Sequence, residues 1–172
     1  MKTAISALAS LIILVSGIVS CTNGNNHNTR DQIVIDSLTA QVKLLSGTIQ
    51  RNMENKQLVA DFYQELFGDK NIDAIDKYIG DTYIQHNPSL PDGKEFLKEG
   101  AKAWFKGAPK EKIDIQHLSG DGDLVYIHTK VKSGNRTSSV LDIFRLQDGK
   151  ILEHWDIIQQ VPEKSANPHP MF

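Results

Sequence analysis

The chain has 172 residues, enough at roughly 150 residues per domain for one fold with a leader or tail and too few for two full domains. With 40% hydrophobic and 23% charged residues its composition is that of a globular protein, which excludes wholesale disorder, collagen-like repeats and a polytopic membrane protein. Nineteen basic against 21 acidic side chains leave a formal charge of −2, without the basic excess that binding a phosphate backbone requires, so nucleic acid is not an expected partner.

The chain opens on a short positive start, Met1-Lys2-Thr3, followed by the uncharged run Ala4 to Ser20 with its apolar block Leu11 to Val15. This is the shape of a secretory signal peptide over residues 1–20, and the run is shorter than the about 20 residues of a spanning helix. The single cysteine stands directly behind it and rules out an internal disulfide. Ile18-Val19-Ser20-Cys21 resembles the lipobox of bacterial lipoproteins, an aliphatic residue three places before Cys and a small one directly before it. The resemblance implies that Cys21 is lipidated and that several acyl chains hold the protein stably on a membrane. The implied location is the bacterial cell envelope, in the outer membrane or facing the periplasm.

Thr22 to Thr29 is polar and Asn-rich and has nothing to bury, which predicts a flexible tether. Ile35, Leu38, Val42, Leu45 and Ile49 then recur at spacings of three and four, a helical stripe of two heptads. Coiled-coil association, a stalk, or a helix lying on the domain each accounts for it. Residues 21–52 are thus expected to form a tether and an amphipathic helical stalk, with the globular domain over 53–172.

From Glu54 a second helix carries Leu58, Val59, Phe62, Tyr63, Leu66 and Phe67 on one broad face and is expected to end at Gly68 as its C-terminal cap. A short helix follows through Ile72, Ile75 and Ile79. Thr82 to His86 reads as a brief β segment stopped by Asn87-Pro88, and Pro91-Asp92-Gly93 opens a helix with Phe96, Leu97, Gly100, Ala101, Trp104 and Phe105 on one face. After Lys112 four strands are predicted, Ile113–Leu118, Leu124–Lys132, Thr137–Leu146 and Ile151–Val161, separated by Gly/Asp/Asn turn signals. Three helices ahead of an antiparallel meander define an α+β domain, helices on one face of a curved sheet, with the hollow between them as the natural ligand site.

The informative residues are polar ones on apolar strand faces. Val140, Asp142, Phe144 and Leu146 share one face, and Leu152, His154, Asp156 and Ile158 another. A two-residue loop at Asp148-Gly149 would set these faces on opposite surfaces; a three-residue loop, Gln147-Asp148-Gly149, with Gly149 left-handed in a bulge, pairs 142 with 154 and 140 with 156 and clusters them. The three-residue loop is the one we expect. By the same parity His128 joins the cluster if the loop after Lys132 is odd and lies outside if it is even. A carboxylate among apolar groups is suited to proton abstraction near neutrality, a neighbouring His can orient or stabilise an oxyanion, and Trp104, Phe105 and Phe144 can cover the apolar body of a ligand.

Tyr83-Ile84-Gln85-His86-Asn87-Pro88, Val140-Leu141-Asp142-Ile143-Phe144-Arg145 with Asp148-Gly149-Lys150-Ile151, and Glu153-His154-Trp155-Asp156 resemble the hallmark segments of the SnoaL-like polyketide cyclase group of the nuclear transport factor 2-like superfamily. The similarity runs in order from about Asn55 to Phe172. It implies a cone-shaped α+β fold of this type, a pocket between sheet and helices for a small-molecule ligand, and a homodimer through the outer sheet face. It also implies an Asp on a late strand acting as acid/base in an intramolecular aldol condensation with no cofactor and no metal. Asp156 is the matching position, with His154 and Asp142 beside it as catalytic candidates and His86, Asn87, Trp104, Phe105, His128 and Phe144 as substrate-binding ones. An enzyme of cyclase, isomerase or dehydratase type and a non-catalytic ligand-binding or protein-interaction module are the two functional classes this leaves.

His154-Trp155-Asp156 is also an H-x-D, the local part of a two-His-one-carboxylate iron site with His86 or His128 as third ligand, but so short a pattern recurs by chance and no metal is assigned. Asp121-Gly122-Asp123 lacks the later Glu of a calcium loop and reads as a hairpin turn.

Overall fold

The computed structural model describes residues 28–172. The expected signal peptide, Cys21 and most of the polar tether lie outside the described residues. Two compact units divide the chain, Met1–Leu45 and Ser46–Phe172. Among the described residues no helix is long and apolar enough to cross a membrane.

Helix α1 runs unbroken from Asn28 to Tyr63, where the sequence pattern suggests two helices with a change near Met53. Its last turns present Val59, Phe62 and Tyr63, at most 5% exposed, and one wide turn of π-helix, Gln64–Gly68, carries the chain on with Leu66 buried. Gly68 is not a left-handed cap. It is needed for space, because a Cβ there would stand 2.8 Å from the backbone oxygen of Glu111, whose own N–H donates to the Gly68 carbonyl at 3.0 Å. The left-handed residue that ends the helical run is Lys70, at φ 59°.

Helix α2 (Ala74–Tyr78) buries Ala74 and Ile75 and passes directly into β1 (Ile79–Gln85), so Ile79 and Gly80 belong to the strand. Helix α3 (Lys94–Trp104) turns Leu97 and Ala101 inward and leaves Phe96 exposed. Four strands complete the chain: β2 (Ile115–Asp121), β3 (Leu124–Ser133), β4 (Arg136–Gln147) and β5 (Lys150–Gln160). The sheet order is β1-β5-β4-β3-β2.

The meander β2 to β5 is antiparallel as expected, but the sheet as a whole is mixed because β1 runs parallel to β5. Hairpin turns dictate direction only between consecutive strands. No hairpin links β1 to β5, and the direction of this pair is set by where α2 delivers the chain. The helices lie against the inner face, and the core joins Val59, Phe62 and Leu66 to Ile75, Ile79, Val125, Ile127, Phe144, Leu146 and Ile151.

The turn between β4 and β5 corrects our expectation. Gln147 pairs with Lys150 across a two-residue loop, Asp148-Gly149, both residues at positive φ (51° and 74°), the geometry of a type I′ hairpin. Alone, such a loop would send His154 and Asp156 outward. A bulge follows at once: Leu146 pairs with Ile151 but Arg145 with Glu153, so Leu152 is extra and the alternation is restored. Asp142 therefore pairs with Asp156 and Phe144 with His154, and all four share the inner face by a register other than the expected one.

Candidate active site

The inner face of the sheet and the helices enclose a cavity of about 810 Å³, within the range of small-molecule sites. Tyr63 and Phe67 reach it from the helical run, Thr129 from β3, Val140, Asp142 and Phe144 from β4, and His154, Asp156 and Ile158 from β5. Tyr83, Gln85 and Asn87 line it from β1 and the segment after it, and Leu97, Trp104 and Phe105 from α3 and its end. Trp104 is half exposed, its indole held over Gly100, where a Cβ would meet the ring at 3.0 Å. Phe67 packs edge-on against Phe105 and Phe62 against Phe144, giving the cavity an aromatic wall.

Four side chains form a buried relay. Tyr63 donates its hydroxyl to Asp142 Oδ2 at 2.6 Å, Asp142 Oδ1 lies 2.8 Å from His154 Nε2, and His154 Nδ1 lies 2.9 Å from Gln85 Oε1. Gln85 Oε1 also accepts the backbone N–H of Asn87, while its amide nitrogen points at the Tyr83 hydroxyl, so it acts as an acceptor throughout. His154 must then carry a hydrogen on Nδ1. Its Nε2 faces an Asp142 carboxylate oxygen, so both ring nitrogens are occupied. The His154 ring is stacked on Phe144, with centroids 4.8 Å apart. Burial, and then the Asp142 carboxylate, push the Tyr63 phenol well above its ordinary value of 10.0, opposed by the nearby Thr129 hydroxyl. Burial does the same to Tyr83.

Asp156 is held differently. Asn87 Oδ1 accepts the N–H of Ser89 at 2.8 Å, which turns the amide so that Nδ2 donates to Asp156 Oδ2 at 2.6 Å. Asp92 fixes the same segment by accepting the Gln85 N–H at 2.7 Å. Oδ1 of Asp156 carries no hydrogen bond, and no basic side chain pairs with this carboxylate, among the described residues. Thr129, fully buried on the same face, has a hydroxyl without a hydrogen bond of good geometry.

Of the candidates drawn from sequence, Asp142, His154, Asp156, Asn87, Phe144, Trp104 and Phe105 meet in this cavity. Two do not. The β3–β4 loop is Gly134-Asn135, an even loop, so His128 pairs with Leu141 on the outer face. There its Nδ1 lies 3.0 Å from that of His117 and its Nε2 2.7 Å from Ser139 Oγ. His86 is also turned outward, since Gln85 is the residue paired with the inward His154. Its ring stacks on Trp155 at 4.4 Å and its Nε2 lies 2.8 Å from Glu153 Oε1. Arg145 binds the other Glu153 oxygen at 2.8 Å, and hydrogen bonds from His86 and then Arg145 hold the Glu153 carboxyl below its usual range.

Sequence reading missed Tyr63, Gln85 and Thr129. Tyr63 sits among core residues on its helix and only the fold brings its hydroxyl to Asp142. The alternation from Tyr83 could have marked Gln85 and Asn87, not His86, as inward. Among the described residues, Asp142, His154 and Asp156 are the trio able to gather round a cation, one ligand atom from each lying within 4.8 Å of the others. It differs from the H-x-D reading in that neither His86 nor His128 contributes. A cation there would have to replace the hydrogen bonds that Asp142 and His154 already make.

Helices covering a mixed, curved five-stranded sheet with a cavity between them form the nuclear transport factor 2-like class of fold. Within that class the chain belongs to the SnoaL-like polyketide cyclase family, whose sequence profile matches residues 57–165. No curated protein matches it. Among solved structures it is similar to a nuclear transport factor 2-like protein of unknown function from Burkholderia xenovorans (15% identity, TM-score 0.54, 66% of this chain and 89% of that one). It is also similar to TsrD from Streptomyces laurentii (18%, 0.52, 62% and 88%) and to an LEH-like epoxide hydrolase of M. tuberculosis (17%, 0.51, 63% and 85%). At these identities the likeness is one of fold.

Proposed function

We propose that this protein is a lipid-anchored enzyme of the bacterial cell envelope that performs cofactor-independent acid/base chemistry on a small hydrophobic carbonyl compound, of aldol cyclase, isomerase or dehydratase type. The observation that carries the reading is Asp156: a carboxylate in an aromatic-walled cavity with one oxygen fixed by Asn87 at 2.6 Å and the other open. Oδ1 takes a proton from the carbon next to the carbonyl and the electron pair moves to the carbonyl oxygen; Asp156 later returns the proton to carbon in an isomerisation, to a leaving hydroxyl in a dehydration, or, once the enolate carbon has bonded to a second carbonyl carbon, to the alkoxide formed there in an aldol addition. The second amide hydrogen of Asn87 is a donor left to meet the developing oxyanion. His154 has both nitrogens occupied and serves as a positioning residue that keeps Asp142 partnered beside Asp156. Anchoring rests on Cys21 behind the signal-like leader, and pairing of two copies through the outer sheet face, where Ile157 is exposed, fits the same reading.

The test is exchange of the acidic hydrogens of 2-tetralone, an aromatic ketone, for deuterium in D₂O, followed by NMR. Catalysed exchange that disappears in Asp156→Asn while tetralone affinity persists supports the enzyme. Binding without exchange in the native protein makes it a ligand-binding module, and unchanged exchange in Asp156→Asn removes Asp156 from the chemistry.

A further inference from the structure

We propose that residues 35–49 of two copies of this chain wind into a parallel, in-register two-stranded coiled coil. Helix α1 leaves a row of large apolar side chains in solvent: Leu38 is 50% exposed, Leu45 62% and Ile49 52%. Together with Ile35 and Val42 they form a strict alternation of three and four residues, the 3.5-residue repeat of a coiled-coil seam and not the wider stripe of a helix laid on a domain.

The identity of the side chains selects the occupant. With Ile35 at position a, the a positions are Ile35, Val42 and Ile49, all β-branched, and the d positions are Leu38 and Leu45. β-Branched a with Leu at d is the combination that favours two parallel strands over three or four. The flanking e and g positions are Thr39, Gln41, Ser46 and Thr48, with Val34 at the preceding g. None is charged, so a second copy meets no like charge, and no charge pattern is present to select an unlike helix. Gly47 and Ala40, the smallest residues in the stretch, fall at f, farthest from the seam. Ile33, also at f, and Leu44 at c are the exposed apolar residues that lie off this seam.

A bilayer surface is a poorer occupant. Between Asn28 and Asn52 the helix carries Arg30, Lys43 and Arg51 against Asp31 and Asp36, with no aromatic residue, whereas interfacial helices have a broad apolar face, aromatic anchors and a Lys/Arg-rich polar one. Acylation of Cys21 would put both N-termini at one membrane, the parallel arrangement, but the heptad identities call for it without the anchor.

The test uses the full chain in its host membrane. Leu38→Cys and Leu45→Cys place thiols on the seam, and Ala40→Cys places one opposite it; the parent, with Cys21 alone, is the baseline. Mild oxidation is expected to give about tenfold more disulfide-linked dimer from the two d-position variants than from Ala40→Cys, because only d residues in register bring Cα atoms within disulfide reach. In parallel, adding Leu38→Glu to Leu45→Cys should abolish the disulfide-linked dimer of Leu45→Cys while the protein remains folded by circular dichroism. Equal linkage from Ala40→Cys, no linkage from either d position, or Leu45→Cys linkage that survives Leu38→Glu would each overturn the proposal.

Discussion

Asp142 and Asp156 stand directly opposite each other on neighbouring strands, two carboxylates on one inner face with different partners. Asp142 is 5% exposed and holds both Tyr63 and His154; Asp156 holds only an amide. The first is satisfied on both oxygens, while the second keeps one oxygen open. This division follows from neighbours, since the residues are chemically identical.

Asp156→Asn should lower turnover about 10²- to 10⁴-fold, the range for loss of a positioned general base. Its thermal midpoint should move little, because Asn at 156 still meets Asn87 through an amide. Steady-state kinetics beside a melting curve checks both.

Tyr63→Phe should destabilise the protein by about 1–3 kcal/mol, since Asp142 Oδ2 is left buried without its donor. Asp142→Ala should cost more, about 3–5 kcal/mol, by stranding both Tyr63 and His154. Urea midpoints at constant slope measure the two, and the order of the costs is the prediction.

The folded-state shift of Tyr63 is upward, so the protein binds this proton more tightly folded than unfolded. The stabilisation is complete below pH 10.0, the unfolded value, and is lost as pH rises through the folded value above it. Alkaline titration of tyrosinate absorbance should show a late-ionising tyrosine that disappears in Tyr63→Phe. A normal titration in the native protein would contradict the buried bond to Asp142.

Glu153 behaves in the opposite sense. Its folded value lies below 4.5, so its contribution is present above that pH and is lost as pH falls through the lower, folded value. Glu153→Gln should cost about 1 kcal/mol or less near neutrality, as for solvent-accessible ion pairs, and the gap to the native protein should close in acid. Urea midpoints measured across the acid range check the sign.

Deleting Leu152 tests the bulge. With the Asp148-Gly149 turn intact, the shortened strand would still pair Glu153 with Arg145 and His154 with Phe144, now without an extra residue, so the protein should fold and keep its cavity, and a chain that fails to fold would show that the site needs the local twist of the bulge as well as its register. Solubility and near-ultraviolet circular dichroism separate the two.

The order of elements, the α+β class and the four-strand meander were legible in the residues, because hydrophobic alternation and turn composition are local signals. So were the heptads of α1 and the family segments. What local pattern could not decide was parity across irregularities. The site depends on an even turn followed by a bulge at Leu152, and a bulge costs so little that no residue announces it. His86 and His128 went to the outer surface for the same reason, one residue of register. The direction of β1 beside β5, the space that requires Gly68, and the meeting of Tyr63 with Asp142, 79 positions away along the chain, belong to long-range packing. The amino-acid order determined which faces seek burial; only the tertiary structure decided which polar atoms would find one another inside it, because hydrogen-bond partners are chosen by distances that no spacing in the chain encodes.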